Sequence, residues 1–316
     1  MAYSAGDTIL DDEYNAFVSN SSSPFGYNHF AGTGSAQYGL NQSSISTVSA
    51  GGTINASNWN SLFTGLDNIS NHTNVAITSS SVSAGDTIAI RSALVSDLAN
   101  LAAAVAGGST SASAFDTTAV GTSTNSGTWN STSTIERSVT FANNATMRAF
   151  FNGGGAIRVD PATSGSVDGS KDTVFSEITT AIGNLDIKAH ATTRSGSGET
   201  ETSFDSGNGF HDLGTSYTSK IKITANNSGY TSNYVEIFAK LDAVVGSATV
   251  ITIKMVSSDP ADDTTYTSGN TDGVAANPNE APAMQLNIIE KSLNDTQGLA
   301  ADIKSASNAQ VSNSQS

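Results

Sequence analysis

The hexapeptide Ser-Ala-Gly-Xaa-Thr-Ile occurs three times in the first hundred residues of this 316-residue chain, at 4–9, 49–54 and 83–88. Each copy precedes a short run in which apolar residues recur every three or four positions, the spacing of one helix face. Glycine allows a tight turn before the segment, and isoleucine supplies an apolar anchor. We interpret each copy as a glycine turn, a short extended segment and a helix, a device that docks helices rather than a catalytic loop.

The apolar positions that follow the three copies allow the helices to be placed. They are Leu10, Tyr14, Phe17 and Val18 in the first run, Trp59, Leu62, Phe63, Leu66 and Ile69 in the second, and Ile90, Leu94, Leu98, Leu101 and Val105 in the third. Asn55 and Ser57 both have side chains that cap helix N-termini, so we expect the second helix to begin at one of them. Gly107 and Gly108 are predicted to end the third helix.

Residues 19–44, between the first two copies, combine glycine, serine and aromatic residues without any periodicity. So long a stretch without secondary structure is unusual inside one globular domain. Two interpretations are open, a mobile surface loop and an arm that lies on a neighbouring subunit, where aromatic side chains are common anchors. The candidate assembly residues are Phe25, Tyr27, Phe30, Tyr38 and, on the second helix, Trp59, for which core packing is the alternative.

The second half of the chain has the patterns of strands. Alternation places Ile135, Arg137, Val139 and Phe141 on one face of a strand at 135–143. One amphipathic helix interrupts the strands, with Val174, Ile178, Ile182 and Leu185 on its apolar face. The other predicted strands lie at 146–160 (two pieces around a glycine run that forms a hairpin turn), 219–227, 233–242 and 248–259.

These patterns predict a mainly β protein with some α-structure, in which N-terminal turn-helix units precede an antiparallel β-sandwich with an inserted helix. We expect the polar tail to hold a short helix and then a disordered end. The predicted regions are 1–108 for the helical and arm-containing part, 109–134 for a Ser/Thr-rich linker, 135–290 for the sandwich and 291–316 for the polar tail.

The composition narrows the classes of protein that fit. Charged residues make up 13% of the chain, against about 25% in an average soluble domain. Hydroxyl and amide residues replace them, as in extracellular β-rich proteins, adhesins and virion components. The 28 acidic and 13 basic residues give a net charge of −15, which disfavours nucleic acid and anionic membranes as partners. The absence of cysteine excludes thiolate chemistry, and the sequence shows no signal peptide.

No motif in the sequence has the spacing of a catalytic or metal site, so we expect no enzyme activity, no cofactor and no metal. A phosphate-binding loop needs a helix after its glycines and usually a lysine, whereas the run Gly153–Gly155 is followed by a strand-like segment with Arg158 as the nearby cation. The four histidines, His29, His72, His190 and His211, are far apart in the chain. The acidic runs at 11–13 and 257–266 do not follow a calcium-loop spacing, and we interpret both as solvated turns.

Three segments, AGDTILDDEYN, the stretch from YGLNQSS to NISNHT, and FNGGGAIRVD, resemble virion structural proteins of marine tailed phages, including tail-fibre-like and other tail-associated proteins of cyanophages. The resemblance covers roughly the first half of the chain and brings no catalytic residues with it. It implies a particle component that assembles as a homo-oligomer around the tail axis, with other virion proteins as partners.

We therefore expect a tail-associated structural protein of the virion, made in the host cytoplasm, with a trimer favoured as its oligomer. A capsid decoration or head-tail protein is the alternative within the same class. From another class, a host-glycan-binding adhesin remains open, with Tyr217, Tyr230, Tyr234 and Tyr266 as its platform. A hydrolase would need a carboxylate pair or a triad in a cleft, which no spacing indicates.

Overall fold

The computed structural model describes residues 10–83, 91–110, 115–125, 129, 131–164, 169–227, 229–260, 281–293 and 306–315. The chain divides into two compact units, which we call the helical unit and the β unit. The helical unit comprises Met1–Asp116, Asn143–Gly155 and Ser292–Lys304. The β unit comprises Thr117–Ala142, Ala156–Lys291 and Ser305–Ser316.

Within the described residues the helical unit contains five α-helices, and the β unit contains eleven strands, one α-helix and one 3-10 helix. The helices of the first unit are α1 Asp11–Ser19, α2 Tyr27–Phe30, α3 Ala56–Thr73, α4 Arg91–Ala106 and α5 Asn144–Asn152. The elements of the second are β1 Phe115–Thr124, β2 Ser131–Phe141, β3 Ala156–Ser164, α6 Gly169–Ile182, β4 Leu185–Ile187, β5 Thr192–Arg194, β6 Thr200–Phe204, the 3-10 helix Phe210–Asp212, β7 Thr218–Thr224, β8 Tyr234–Leu241, β9 Val250–Asp259, β10 Ala283–Leu293 and β11 Ala306–Gln315.

The strands form two antiparallel sheets, in the orders β1-β10-β3-β4-β5 and β11-β2-β9-β8-β7-β6. Helix α6 contacts β3 of the first sheet and both β7 and β8 of the second. Arg137 on β2 donates a 2.5 Å hydrogen bond to Ser123 on β1, which joins the sheets directly. The predicted fold class, turn-helix units followed by a β-sandwich with an inserted helix, is confirmed.

The three helices predicted after the repeats are present. Asn55 caps α3 by accepting the backbone N–H of Asn58, and the Asn58 side chain accepts the N–H of Asn55 in return. Helix α4 ends before Gly108, which has a φ of +65°. Leu10 was wrongly placed on the apolar stripe, because it precedes the first turn of α1 and is 54% exposed. Ile90 lies outside the described residues.

Two extended segments of the helical unit are held by asparagine side chains rather than by neighbouring strands. Asn15 on α1 donates to the carbonyl of Val48 and accepts its N–H, both at 2.8 Å. Asn60 on α3 does the same for Val82, at 2.9 and 2.8 Å. Asn15 and Asn60 occupy equivalent positions of the first and second repeats, and each valine lies just before the Ser-Ala-Gly of the next repeat. We call these contacts the asparagine clamps.

Each extended segment has a second anchor three residues before its clamped valine. Asn28 on α2 forms a two-way pair with the backbone of Ile45, with both distances at 2.8 Å. Asp97 on α4 accepts the backbone N–H of Ser79 at 2.8 Å and its hydroxyl at 2.5 Å. The two segments that lead into the second and third hexapeptides are thus anchored at equivalent positions, Ile45 and Val48 in one and Ser79 and Val82 in the other. The repeat therefore extends upstream of the hexapeptide.

The aromatic residues of 19–44 belong to the core of their own unit, which corrects both interpretations of that stretch. Phe30 is fully buried, and Tyr27 packs so closely on Gly65 of α3 that a Cβ there would lie 2.7 Å from its ring. The rings of Phe25 and Tyr38 lie 4.7 Å apart at a tilt of 49°, and both pack against the same core. Trp59, also buried, meets Tyr14 edge-on at 5.3 Å. Tyr27, Phe30 and Trp59 therefore fill the interior instead of an exposed assembly surface, while Phe25 and Tyr38 remain partly exposed.

The segment predicted as two strands around a glycine hairpin forms a helix and one strand. Asn143 caps α5 by accepting the N–H of Thr146 at 2.8 Å, which explains the helix. Arg148 on α5 then donates to the carbonyls of Thr33, Gly34 and Tyr38. The order helix, glycine run, strand is the reverse of a phosphate-binding loop.

The predictions of a linker at 109–134 and a polar tail at 291–316 are wrong in part, because both regions contain strands. Residues 109–134 include β1 and the start of β2. The boundary between the helical unit and the β unit also falls within them, at 116–117. In the tail, β11 pairs with β2 over Ala306–Gln315 instead of being disordered. Strand pairing needs only backbone groups, so serine, threonine and asparagine segments form strands when an open edge lies beside them. In α6, three of the four predicted apolar residues are confirmed, while Leu185 begins β4.

Several buried or partly buried cations of the β unit bind carboxylates. Lys171 and Asp259, both inaccessible to solvent, lie 2.9 Å apart, and Lys220 binds Asp205 at 2.8 Å. The Asp186 carboxylate receives Arg158 and Lys291, each at 2.7 Å. Burial alone would raise the pKa of Asp186, but the hydrogen bonds and charges of its two partners outweigh it and lower that pKa.

Asn60→Ala is expected to lower the free energy of unfolding of the helical unit by about 1 to 3 kcal/mol, because the N–H and C=O of Val82 both lose their partner. Urea unfolding followed by circular dichroism measures the change. Asn71→Ala is the control on the same helix, since its side chain is exposed and bonds Asp67 one turn earlier. Equal effects of the two changes would contradict a stabilising role for the clamp.

The charge cluster at Asp186 predicts a pH dependence of stability. The folded pKa lies below the unfolded value of about 3.9, so the contribution is complete above that pH and is lost as the pH falls through the folded pKa. Asp186→Asn should therefore be less stable than the parent chain at pH 7, and the difference should shrink on acidification below about pH 4. A difference that stays constant between pH 7 and pH 2.5 in urea titrations would refute this, and exposed Asp67→Asn serves as control.

Candidate functional site

The outer face of the six-stranded sheet carries the most distinctive set of partly exposed side chains in the β unit. On β8 the residues alternate, with Val235, Ile237 and Ala239 buried on the inner face. Their neighbours point outward and are only partly buried, because period-two alternation sends them to the opposite face. The outward residues of this face include Tyr234, Glu236, Phe238 and Lys240 on β8, Lys222 on β7, Lys254 on β9 and Glu136 on β2.

Tyr217, which directly precedes β7, lies at the centre of this face. The Nζ atoms of Lys254 and Lys240 are 4.0 and 4.4 Å from its ring centroid. Phe238 meets the same ring edge-on at 6.4 Å, and Lys254 also lies 4.6 Å from the Phe238 centroid. Two ammonium groups therefore converge on one tyrosine, an arrangement stabilised by the negative face of the aromatic ring.

The hydroxyl of Tyr217 completes the cluster by hydrogen bonding to Glu136 on β2. Burial, followed by the hydrogen bond and the charge of Glu136, raises the pKa of Tyr217 above its ordinary value. The hydroxyl is therefore protonated at neutral pH and can donate its hydrogen bond to the Glu136 carboxylate. We call Tyr217, Phe238, Lys240, Lys254 and Glu136 the lysine-tyrosine cluster.

A second contact of the same type lies on the same face. Lys222 on β7 lies 3.6 Å from the ring centroid of Tyr234 on β8 and 3.8 Å from the carboxylate of Glu236. Here the lysine has an ionic partner. Lys240 and Lys254 differ, because no carboxylate in the described part of the chain lies within 4.0 Å of either ammonium group.

The structure separates the four tyrosines that the sequence suggested as a glycan platform. Tyr217 and Tyr234 share the outer sheet face, whereas Tyr230 is buried and Tyr266 lies outside the described residues. The ring of Tyr217 is itself covered by two lysines. The predicted set of exposed aromatic rings is thus replaced by two tyrosines with lysines against them.

The described histidines and the acidic run at 11–13 take structural positions, whereas residues 261–266 of the second acidic run lie outside the described residues. His29 stacks on Phe25 at 4.7 Å, and His190 stacks on His211 at 4.9 Å. Among the residues whose placement is described, no three His, Asp or Glu side chains are grouped as a metal site requires. The acidic run at 11–13 forms the first turn of α1 instead of a loop, where the helix dipole favours negative charge.

Sequence reasoning missed the lysines of this face. The signal was present in the segment NYVEIFAKLD, whose outward positions combine aromatic and charged residues at every second place. Nothing in the sequence indicated that Tyr217, outside any strand, lies over the middle of the sheet.

No family model, curated protein or solved structure matches the chain. In the described part of the chain, no helix has the length and apolar character needed to cross a membrane.

Tyr217→Phe is expected to lower the free energy of unfolding of the β unit by about 1 kcal/mol, because the hydrogen bond to Glu136 is lost while the ring contacts remain. Tyr217→Leu should cost about 1 kcal/mol more, since both lysines then lose the aromatic ring. Urea unfolding of the purified chain measures both changes. If the two variants unfold like the parent chain, the cluster does not stabilise the fold.

Proposed function

We propose that this chain is a structural component of a tailed bacteriophage particle, associated with the tail, that self-assembles and docks through its N-terminal helical unit. The observation that carries the proposal is the use of its few cations. Lys171, Lys220 and Lys291 are buried against carboxylates, and Arg148 binds loop carbonyls. Side chains that an enzyme would use for chemistry are here used to hold elements together.

Two further observations support the proposal. The asparagine clamps fix long extended segments with side-chain amides, so the helical unit is built from repeated docking contacts. The first half of the sequence, including the repeats, resembles virion proteins of marine tailed phages. A homo-oligomer around the tail axis, for which a trimer is the favoured form, follows from that resemblance.

The test locates the protein on the particle. Antibodies raised against the purified chain should label the tail of the phage that encodes it in immunogold electron microscopy. Label on the head surface or at the head-tail junction would assign the chain to the alternative roles, a capsid decoration or a head-tail protein. Purified particles that carry no label and lack the chain by mass spectrometry would refute the proposal.

The oligomeric state is a second, independent prediction. Size exclusion coupled to light scattering should give a mass three times that of the 32.1 kDa chain if the protein forms the expected trimer in solution. A monomer at every concentration up to the solubility limit would contradict self-assembly in solution. The labelling experiment would then decide between assembly on the particle only and no virion role.

A further inference from the structure

The lysine-tyrosine cluster contains two lysines that form no direct ion pair within the described residues. Glu136, the cross-strand neighbour of Lys254, bonds the hydroxyl of Tyr217. Lys240 and Lys254 contact aromatic rings, and within the described residues neither has a carboxylate within ion-pair distance. By contrast, Lys171, Lys220 and Lys291 each bind an aspartate.

This difference is informative because the chain has acidic residues in excess. With 28 acids and 13 bases, the chain has more than two carboxylates for every cation, and four of the seven described lysines have one within 4.0 Å. Two adjacent lysines on a partly exposed face therefore provide a local site for a negative group that comes from elsewhere. The net charge of −15 would repel an anion at long range, but screening limits that repulsion to about 10 Å at ordinary ionic strength.

The chemistry around the two lysines favours a sugar polymer over a protein partner. Protein interfaces are depleted in lysine, glutamate and serine at their core. This face combines lysine and glutamate with outward hydroxyl residues on β2, such as Thr134 and Thr140. Hydroxyl groups hydrogen-bond sugar hydroxyls, and ammonium groups bind carboxylates.

We propose that the outer face of the six-stranded sheet binds an acidic polysaccharide, with Lys240 and Lys254 as the groups that receive its carboxylates. Tyr217 and Glu136 act as positioning residues, because they fix the two ammonium groups without offering a free ring face. Lys222 and Tyr234 extend the binding face along the sheet. The inference does not depend on the virion role, since it rests on the β unit alone.

The test uses the full chain and defined polymers. Affinity electrophoresis and isothermal titration calorimetry should show binding to polygalacturonate or alginate, which carry carboxylates, and no binding to neutral dextran. Raising the salt concentration should weaken the binding. Lack of binding to both acidic polymers, or equal binding to dextran, would overturn the proposal. Binding to polyglutamate as tight as to the acidic sugars would also overturn it, in favour of an acidic protein partner.

Variants identify the site within the chain. The double change Lys240→Gln and Lys254→Gln should reduce the affinity for the acidic polymer about tenfold, because two exposed charge contacts are lost. The double change to arginine should retain binding, since it keeps both charges. Lys188→Gln, on the turn after β4, is the matched control and should bind like the parent chain. An affinity unchanged in the glutamine variant would refute the assignment.

Folding is checked separately from binding. Circular dichroism and the melting temperature of each variant establish that the sheet is intact before its affinity is interpreted. If the glutamine variant does not fold, Lys240→Glu alone gives the same test with one reversed charge. Failure of these binding experiments leaves the virion proposal standing, because labelling of the particle measures a different property.

Discussion

The helical unit depends on one constraint, that every backbone N–H and C=O removed from water needs a partner. Extended chain normally finds those partners in a sheet, yet the segments around Val48 and Val82 have no neighbouring strand among the described residues. An asparagine side chain offers one donor and one acceptor at the spacing of a peptide group, so it can replace one residue of a partner strand. The repeats place such an asparagine on the helix that precedes each segment.

The clamps explain why the hexapeptide is repeated with its surroundings. Each linking segment is hydrogen-bonded at two positions three residues apart. These two contacts fix the position of the segment along the helices that it contacts. The first anchor differs in type, Asn28 in one segment and Asp97 in the other, while the second is asparagine in both. What the repeats share most closely is therefore the contact that binds one repeat to the next. The clamps and the apolar core therefore hold the same helices in place.

The sequence predicted the parts of this fold that follow from periodicity, and it missed those that depend on partners distant in the chain. Spacing located α1, α3, α4 and α6, and alternation located the central strands, because amphipathic patterns record which side faces a core. Helix α5 was missed although Asn143 is a good cap, since its paired phenylalanines also suit a strand. Strands β1 and β11 were missed because their sequences, rich in Thr and Ser in β1 and in Ser, Asn and Gln in β11, contribute backbone pairing more than apolar area.

The candidate site was only half predictable for the same reason. Tyr217 and Tyr234 could be named from the sequence, but whether their rings are open to a ligand depends on which side chains cover them. In the interior of the β unit a buried lysine is paired with a carboxylate: Lys171, at 0% exposure, binds Asp259. Burial without that partner would cost several kcal/mol, so the pairing is enforced. On the outer face no such penalty applies, and Lys240 and Lys254 can keep their charge available to a ligand.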